Sequence, residues 1–248
     1  MKNSNRRIFS FLKVINNNKD RPFFLYLAHW AVHNPLQSLK KDYEKHQHMD
    51  NHNLQVYSGM IEALDRSIGR VMDALEENGL TENTLIIFTS DNGGAGYIGL
   101  NDINKPYRGW KLTHFEGGMH VPFFAKWPSK IEPESIYDKR IHHTDIFITI
   151  LGAAKIEEPV SIIIDGENLL PFILTNKKGQ PHETLYWKNS TYQAIIHNNW
   201  KLMRSEEPIK QEFLYDLKQD PYEQNNLVSV DLDTKDLLNK MLDKHVKS

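Results

Sequence analysis

Apolar positions along the chain fall into three spacings, and each predicts a different element. Residues 54–78 repeat at i, i+3, i+4 and i+7 through Tyr57, Met60, Ile61, Leu64, Ile68, Val71, Met72 and Leu75, the signature of an amphipathic helix. Asp65, Arg66, Arg70, Asp73 and Glu77 lie mostly off that stripe, and Asn78-Gly79 supplies a left-handed stop. Residues 7–15 read as the end of an earlier helix, followed by a polar break over 16–20. A second spacing is the short unbroken apolar run. Residues 23–28 (Phe-Phe-Leu-Tyr-Leu-Ala) and 84–89 (Thr-Leu-Ile-Ile-Phe-Thr) predict strands buried on both faces. Residues 121–127, stopped by Pro128, predict a third, and Thr144-Asp145 caps a short helix over 146–153. Residues 155–181 are loop-like, with Pro159, Gly166, Pro171 and Gly179.

After Pro181 the texture becomes short strand-like runs at 185–187, 192–197, 200–204 and 212–216, with Asn198-Asn199 as a hairpin turn. Residues 231–246 close the chain as a polar amphipathic helix. The order predicts an α/β fold: part of a large mixed sheet flanked by helices, with a small C-terminal antiparallel sheet plus helix. The predicted division is 1–178 for the α/β part and 179–248 for the small subdomain.

Composition narrows the classes. The 248 residues carry 30 Lys+Arg against 32 Asp+Glu, a net charge of −2, so no basic footprint for nucleic acid is present. There is no cysteine, which removes disulfides, zinc–thiolate sites and Cys nucleophiles. The apolar runs are shorter than the roughly 18–20 residues of a membrane span. The basic N-terminal stretch turns polar at Asn16 and makes a poor export signal, so the compartment stays unassigned.

Candidate chemistry lies where strands end, because open α/β sheets bind ligands beyond the carboxyl ends of their strands. Asp91 and Asn92 follow the 84–89 strand and offer a carboxylate and an amide oxygen, suited to a hard cation. The same Asp-Asn-Gly-Gly string is also good turn chemistry. Gly93-Gly94 allows either close backbone approach or positive φ. His29 and His33 follow the first strand; His33 reads as a proton donor or anion contact, or else as an ordinary loop histidine. Lys111 sits in a Gly- and aromatic-bearing loop and can neutralise an oxyanion or simply be solvated. Glu116 is either buried and paired or a turn residue, His142-His143 is structural, and Trp110, Trp127, Trp187 and Trp200 are expected to pack. No nucleophile elbow, phosphate loop or dinucleotide fingerprint occurs.

Five segments in order carry a resemblance. They are Pro22–Ala28 with His33-Asn34-Pro35-Leu36-Gln37; the 57–69 helix; residues 84–88 into Ser90-Asp91-Asn92-Gly93-Gly94; Arg108-Gly109-Trp110-Lys111 with Glu116-Gly117-Gly118; and the closing 213–227. From about residue 20 to 228 the chain resembles the sulfatase family of the alkaline-phosphatase-like superfamily. That resemblance implies sulfuric ester hydrolysis with one Ca²⁺ and a formylglycine nucleophile. It implies Asp91 and Asn92 as metal ligands, and Lys111 and His33 as catalytic contacts of the sulfate group. Lys111, His33 and His114 become the substrate-binding set, and the substrate a small-molecule or carbohydrate sulfate ester. The resemblance also implies that Trp110, His114 and residues 95–106 border the pocket of the departing group. The family's Cys- or Ser-x-Pro-x-Arg segment is not in this sequence, nor is its N-terminal aspartate pair. The chain therefore reads as the C-terminal portion of the family's large domain, with apolar surface exposed on 23–28 and 84–89. An inactive fragment or sulfated-ligand-binding remnant is the alternative, and a phosphatase or phosphodiesterase relative a further one. Oligomeric state is not legible.

Overall fold

A computed structural model describes residues 2–157, 161–174, 179–205 and 210–247. Pro159 and residue 178, at the predicted division, lie outside the described residues. The chain forms two units. One holds residues 1–86, 97–101 and 126–129; the other holds 87–96, 102–125 and 130–248.

The first unit is built on helix α1 (Lys2–Asn17), the one-turn α2 (Lys40–Tyr43) and the long α3 (His52–Glu77). The apolar period places α3 correctly. Asn51 caps it by accepting from the Leu54 N–H, and Gly79, at φ +68°, closes it while the Leu80 N–H reaches back to the Leu75 carbonyl at 2.8 Å. Ile15, Ala74 and Leu75 form the unit's core, with Leu12, Phe23, Leu25 and Val71 packed on it. Arg66 grips the buried Asp42 carboxylate through two nitrogens, at 2.7 and 3.0 Å. The structure corrects the predicted strand over 23–28. The segment has no regular secondary structure and pairs with no strand among the described residues, and its burial alternates. Phe23 and Leu25 face the core, whereas Phe24 is 66% and Tyr26 78% exposed. A continuous apolar run shows that both faces suit burial, not that both are covered. The exposed face is an association hazard. The variant Phe24→Lys with Tyr26→Lys is expected to shift the chain toward monomer with stability changed by less than about 0.5 kcal/mol. Gel filtration with light scattering checks this; an unaltered distribution would clear the face of blame.

A two-stranded sheet, mostly in the second unit, pairs β1 (Ile86–Thr89) and β2 (Phe123–Lys126), the first residue of β1 and the last of β2 counting with the other unit. Phe88 and Phe124 remain on view, their ring centroids 6.2 Å apart. Between the strands lies the one-turn α4 (Glu116–Met119); after them come α5 (Thr144–Ala153) and α6 (Leu170–Leu174). Helix α6 corrects the reading of 155–181 as loop throughout. The cap of α5 is also corrected: the helix begins at Thr144, and the fully buried Asp145 carboxylate reaches back to the His142 N–H at 2.7 Å. It accepts as well from the Glu167 N–H and from His182 Nε2.

The C-terminal sheet is antiparallel in the order β3 (Thr184–Lys188), β4 (Tyr192–His197), β5 (Trp200–Ser205), β6 (Gln211–Asp216), followed by α7 (Leu232–Lys247). Asn198, at φ +52°, makes the predicted β4–β5 turn. The two-residue period divides its faces. Ile195, Leu202 and Leu214 pack against Leu238 and Leu242 of α7. Ala194, Ile196, Met203 and Tyr215 face the other way and pack with Phe115 and Leu217. Lys201 shares the second face by register with Ile196 and Tyr215, so its side chain is buried inside the unit. No helix of the described residues is long and apolar enough to cross a membrane.

Candidate functional site

The β1 strand delivers Asp91 and Asn92 at its tip, and the tip is held from three sides. His143 donates from Nε2 to the Ser90 carbonyl at 2.9 Å. The Gly93 N–H donates to the Gly118 carbonyl at 3.0 Å. Asn104 closes a two-way amide bridge: its Oδ1 accepts from the Gly94 N–H at 2.7 Å, and its Nδ2 donates to the Gly94 and Gly109 carbonyls at 2.9 and 3.1 Å. The Lys111 N–H donates to the same Gly94 carbonyl at 3.1 Å. The tip and the lysine loop thus share one hydrogen-bonded frame. Glycine is required where the strands of this frame touch. A Cβ on Gly93 would lie 1.8 Å from the Gly117 carbonyl oxygen, and one on Gly117 would lie 2.4 Å from that of Gly109. Close approach, not positive φ, is what Gly93 provides.

Asp91 is exposed and Asn92 half-buried. Asn92 donates from Nδ2 to the Gly93 carbonyl at 3.0 Å, which leaves its side-chain oxygen available to accept or ligate. Two adjacent oxygens suit a hard cation in kind. In number they fall short, because Ca²⁺ takes roughly 6–8 oxygens. Among the described residues no group of three or more His, Asp or Glu side chains converges to add to them.

Lys111 is half-buried on its loop. Its neighbour Trp110, expected to pack, is instead 48% exposed, with one ring face lying against Gly96. His114 is buried. Its Nε2 accepts from Asn189 Nδ2 at 3.3 Å, its Nδ1 has no hydrogen-bond partner among the described residues, and its ring lies 5.8 Å from that of Tyr192. Burial, reinforced by the Lys201 charge, pushes its pKa down to about 4, so it is neutral near pH 7. His33 belongs to the first unit. It is exposed there, donating from Nδ1 to the Asn34 carbonyl at 3.1 Å and tilted against Trp30. The structure therefore brings Asp91, Asn92 and the Lys111 backbone together and sets His114 against the C-terminal sheet.

Under the lysine loop lies a group that sequence reasoning missed. Lys201 Nζ sits 2.8 Å from Glu116 Oε1 and 2.8 Å from Glu223 Oε1, the latter an ion pair without hydrogen-bond alignment. Glu223 Oε2 accepts from the Glu116 N–H at 2.7 Å. Arg108 donates to Tyr215 Oη at 3.0 Å and to the Glu223 carbonyl at 3.2 Å, and its guanidinium lies 4.4 Å from the Phe115 ring centre. Glu116 is thus paired and, with 13% of its side chain exposed, mostly covered. Burial raises its pKa, but Lys201 and then His120 override that and hold it at about 2. Glu223, by contrast, is raised, because burial outweighs its lysine.

Comparison with known proteins matches residues 4–156 to the family model Sulfatase and residues 109–248 to the model N-sulphoglucosamine sulphohydrolase, C-terminal. The uncharacterized sulfatase YdeN of Escherichia coli is 37% identical over 172 residues, covering 69% of this chain and 30% of that protein. A sulfatase of Formosa agariphila is 32% identical over 239 residues, covering 85% and 42%. Among solved structures, Ps i-CgsB superposes with a TM-score of 0.84 at 29% identity, covering 98% of this chain and 53% of that one. The chain spans well under half the length of these two curated relatives and about half of this solved structure.

Proposed function

The chain belongs to the sulfatase family, and from that premise we propose that it presents the cation-and-sulfate end of a sulfuric ester hydrolase. The observation that carries this reading is the shared frame of the Asp91–Asn92 tip and the Lys111 loop through Gly94 and Asn104. Asp91 and Asn92 would hold the family's Ca²⁺, which supplies positive charge to the sulfuryl oxygens when bound. Lys111 adds an ammonium charge to the same group, where negative charge grows as the ester bond breaks. His33 is assigned the departing oxygen, to which an imidazolium can deliver a proton. His114, buried and neutral, borders the pocket of the departing group in this reading. The 248 residues include no Cys and no Ser-x-Pro-x-Arg segment, so the nucleophile is not among them. A sulfated carbohydrate is the substrate class we favour. Ps i-CgsB, 30% identical, has been solved in complex with k-i-k-neocarrahexaose, which supports that choice.

The 248-residue chain is expected to hydrolyse 4-nitrophenyl sulfate no faster than a blank, with or without Ca²⁺. By calorimetry it should bind Ca²⁺ more weakly than micromolar, since two ligands form a small part of a shell. In a protein that also carries the nucleophile segment, Lys111→Ala should cut kcat/KM on the order of 10²-fold. Unchanged kcat/KM there would remove Lys111 from the site, and micromolar or tighter Ca²⁺ binding by the chain alone would contradict a site of only two ligands.

A further inference from the structure

The small C-terminal sheet is joined to the lysine loop by charges largely withdrawn from water. Lys201 is fully buried on β5, and a buried ammonium is costly unless paired. Its two partners are not neighbours in sequence. Glu116 opens α4, directly behind the lysine loop, and Glu223 follows β6. The contacts then run outward without a gap. Glu223 accepts the Glu116 N–H. The next residue, Gly117, donates to the Arg108 carbonyl at 2.6 Å, at the start of the lysine loop. Gly118 accepts from Gly93, one residue beyond Asn92, and Lys111 donates to Gly94. Arg108 ties the same loop to Tyr215 and to the Glu223 backbone. Every link lies inside the second unit.

We propose that Lys201, Glu116 and Glu223 are positioning residues, a buried ionic clasp through which the C-terminal sheet fixes the Lys111 loop against the Asp91–Asn92 tip. The clasp touches no substrate. It acts by holding α4, whose Gly117 and Gly118 are the shared anchor of loop and tip. A flexible loop would let the Lys111 backbone, and the ammonium it carries, shift relative to the Asp91–Asn92 tip, and misplacement on the ångström scale is enough to cost an anion site most of its advantage. The sulfate part of this inference rests on Lys111 as a sulfate contact; the clasp itself does not.

The test uses the whole ¹⁵N-labelled chain, with amide exchange and a sodium sulfate titration read by NMR. In Glu116→Ala, exchange at Gly93 and Lys111 should quicken on the order of 10-fold or more, while Leu202 and Met203 in β5 stay within about threefold of the parent. Glu116→Gln keeps an acceptor for Lys201 and should recover most of that protection. It also serves alone, by a rise of a few-fold at Gly93 and Lys111, if the alanine variant does not fold. Sulfate affinity read at the Lys111 amide should fall about in step with the exchange at that residue. Unaltered exchange at Gly93 and Lys111 overturns the clasp, and so does equal acceleration in β5, the mark of a purely structural ion pair. A parent chain with no sulfate response at Lys111 overturns the sulfate reading instead, and the exchange data still decide the clasp.

Discussion

Replacing Lys201 by Met is expected to cost about 3–5 kcal/mol of stability and roughly 10 °C in Tm. The side chain is fully buried on β5, and its ammonium lies 2.8 Å from a carboxylate oxygen of each of Glu116 and Glu223. Methionine matches the lysine stem in volume, so little cavity forms. What remains is the Glu223 carboxylate without a cation in a dry site and Glu116 with only His120 beside it, while Arg108 is turned to Tyr215 and the Glu223 backbone. The cost is that of unpaired buried charge, not of lost packing. The triple variant Lys201→Met, Glu116→Gln, Glu223→Gln separates the two, because it deletes all three charges and keeps the volumes. It should return to within about 2 kcal/mol of the parent, since buried ion pairs add little net stability over neutral replacements. Urea unfolding followed by fluorescence reads both. A loss below about 1 kcal/mol in the single variant, or no recovery in the triple, would refute the electrostatic account.

That clasp is the least legible part of the molecule. A lone lysine in a strand reads as solvated, and only the β4–β5–β6 register shows that Lys201 turns inward with Ile196 and Met203. Its partner Glu116 is 85 residues away, and no local pattern spans that distance. Glu116 itself reads equally as paired or as a turn residue, since its two glycine neighbours fit either. By contrast, α3 is legible because its period, its cap and its Gly79 stop agree. The C-terminal sheet is legible for the same reason: alternation and the Asn198 turn point to one hairpin. Residues 23–28 mislead because burial is a property of neighbours, whereas the apolar run describes only the segment. At Asp91–Asn92 the turn and ligand readings use the same atoms. Their order among the other segments points to the family, and the Asn104 bridge that holds the tip leaves no sequence signal of its own.

Acid should destabilise the chain in two stages, and His114 sets the first. In the native state burial and then the Lys201 charge bring its pKa down to about 4, while in the unfolded chain it titrates near the ordinary histidine value of about 6.5. Between those values the unfolded state binds a proton that the native state refuses. Stability therefore falls as pH drops from about 6.5 to about 4, by up to on the order of 3 kcal/mol. Glu116 acts lower. Burial alone would raise it, but Lys201 and His120 hold its native pKa at about 2, so its contribution is present above about 4.5 and is lost as pH falls toward 2. Glu223, raised by burial, works the other way above about 4.5, so it softens the first stage and not the second. His114→Phe isolates the first stage. The phenyl ring cannot titrate, and Nδ1 of the parent has no hydrogen bond to lose among the described residues, though Asn189 gives up its acceptor. Urea unfolding at intervals from pH 7 to 4 should show a shallower slope in the variant than in the parent over that whole range. Parallel slopes would mean that His114 is charged in the native state, contrary to its burial beside a lysine.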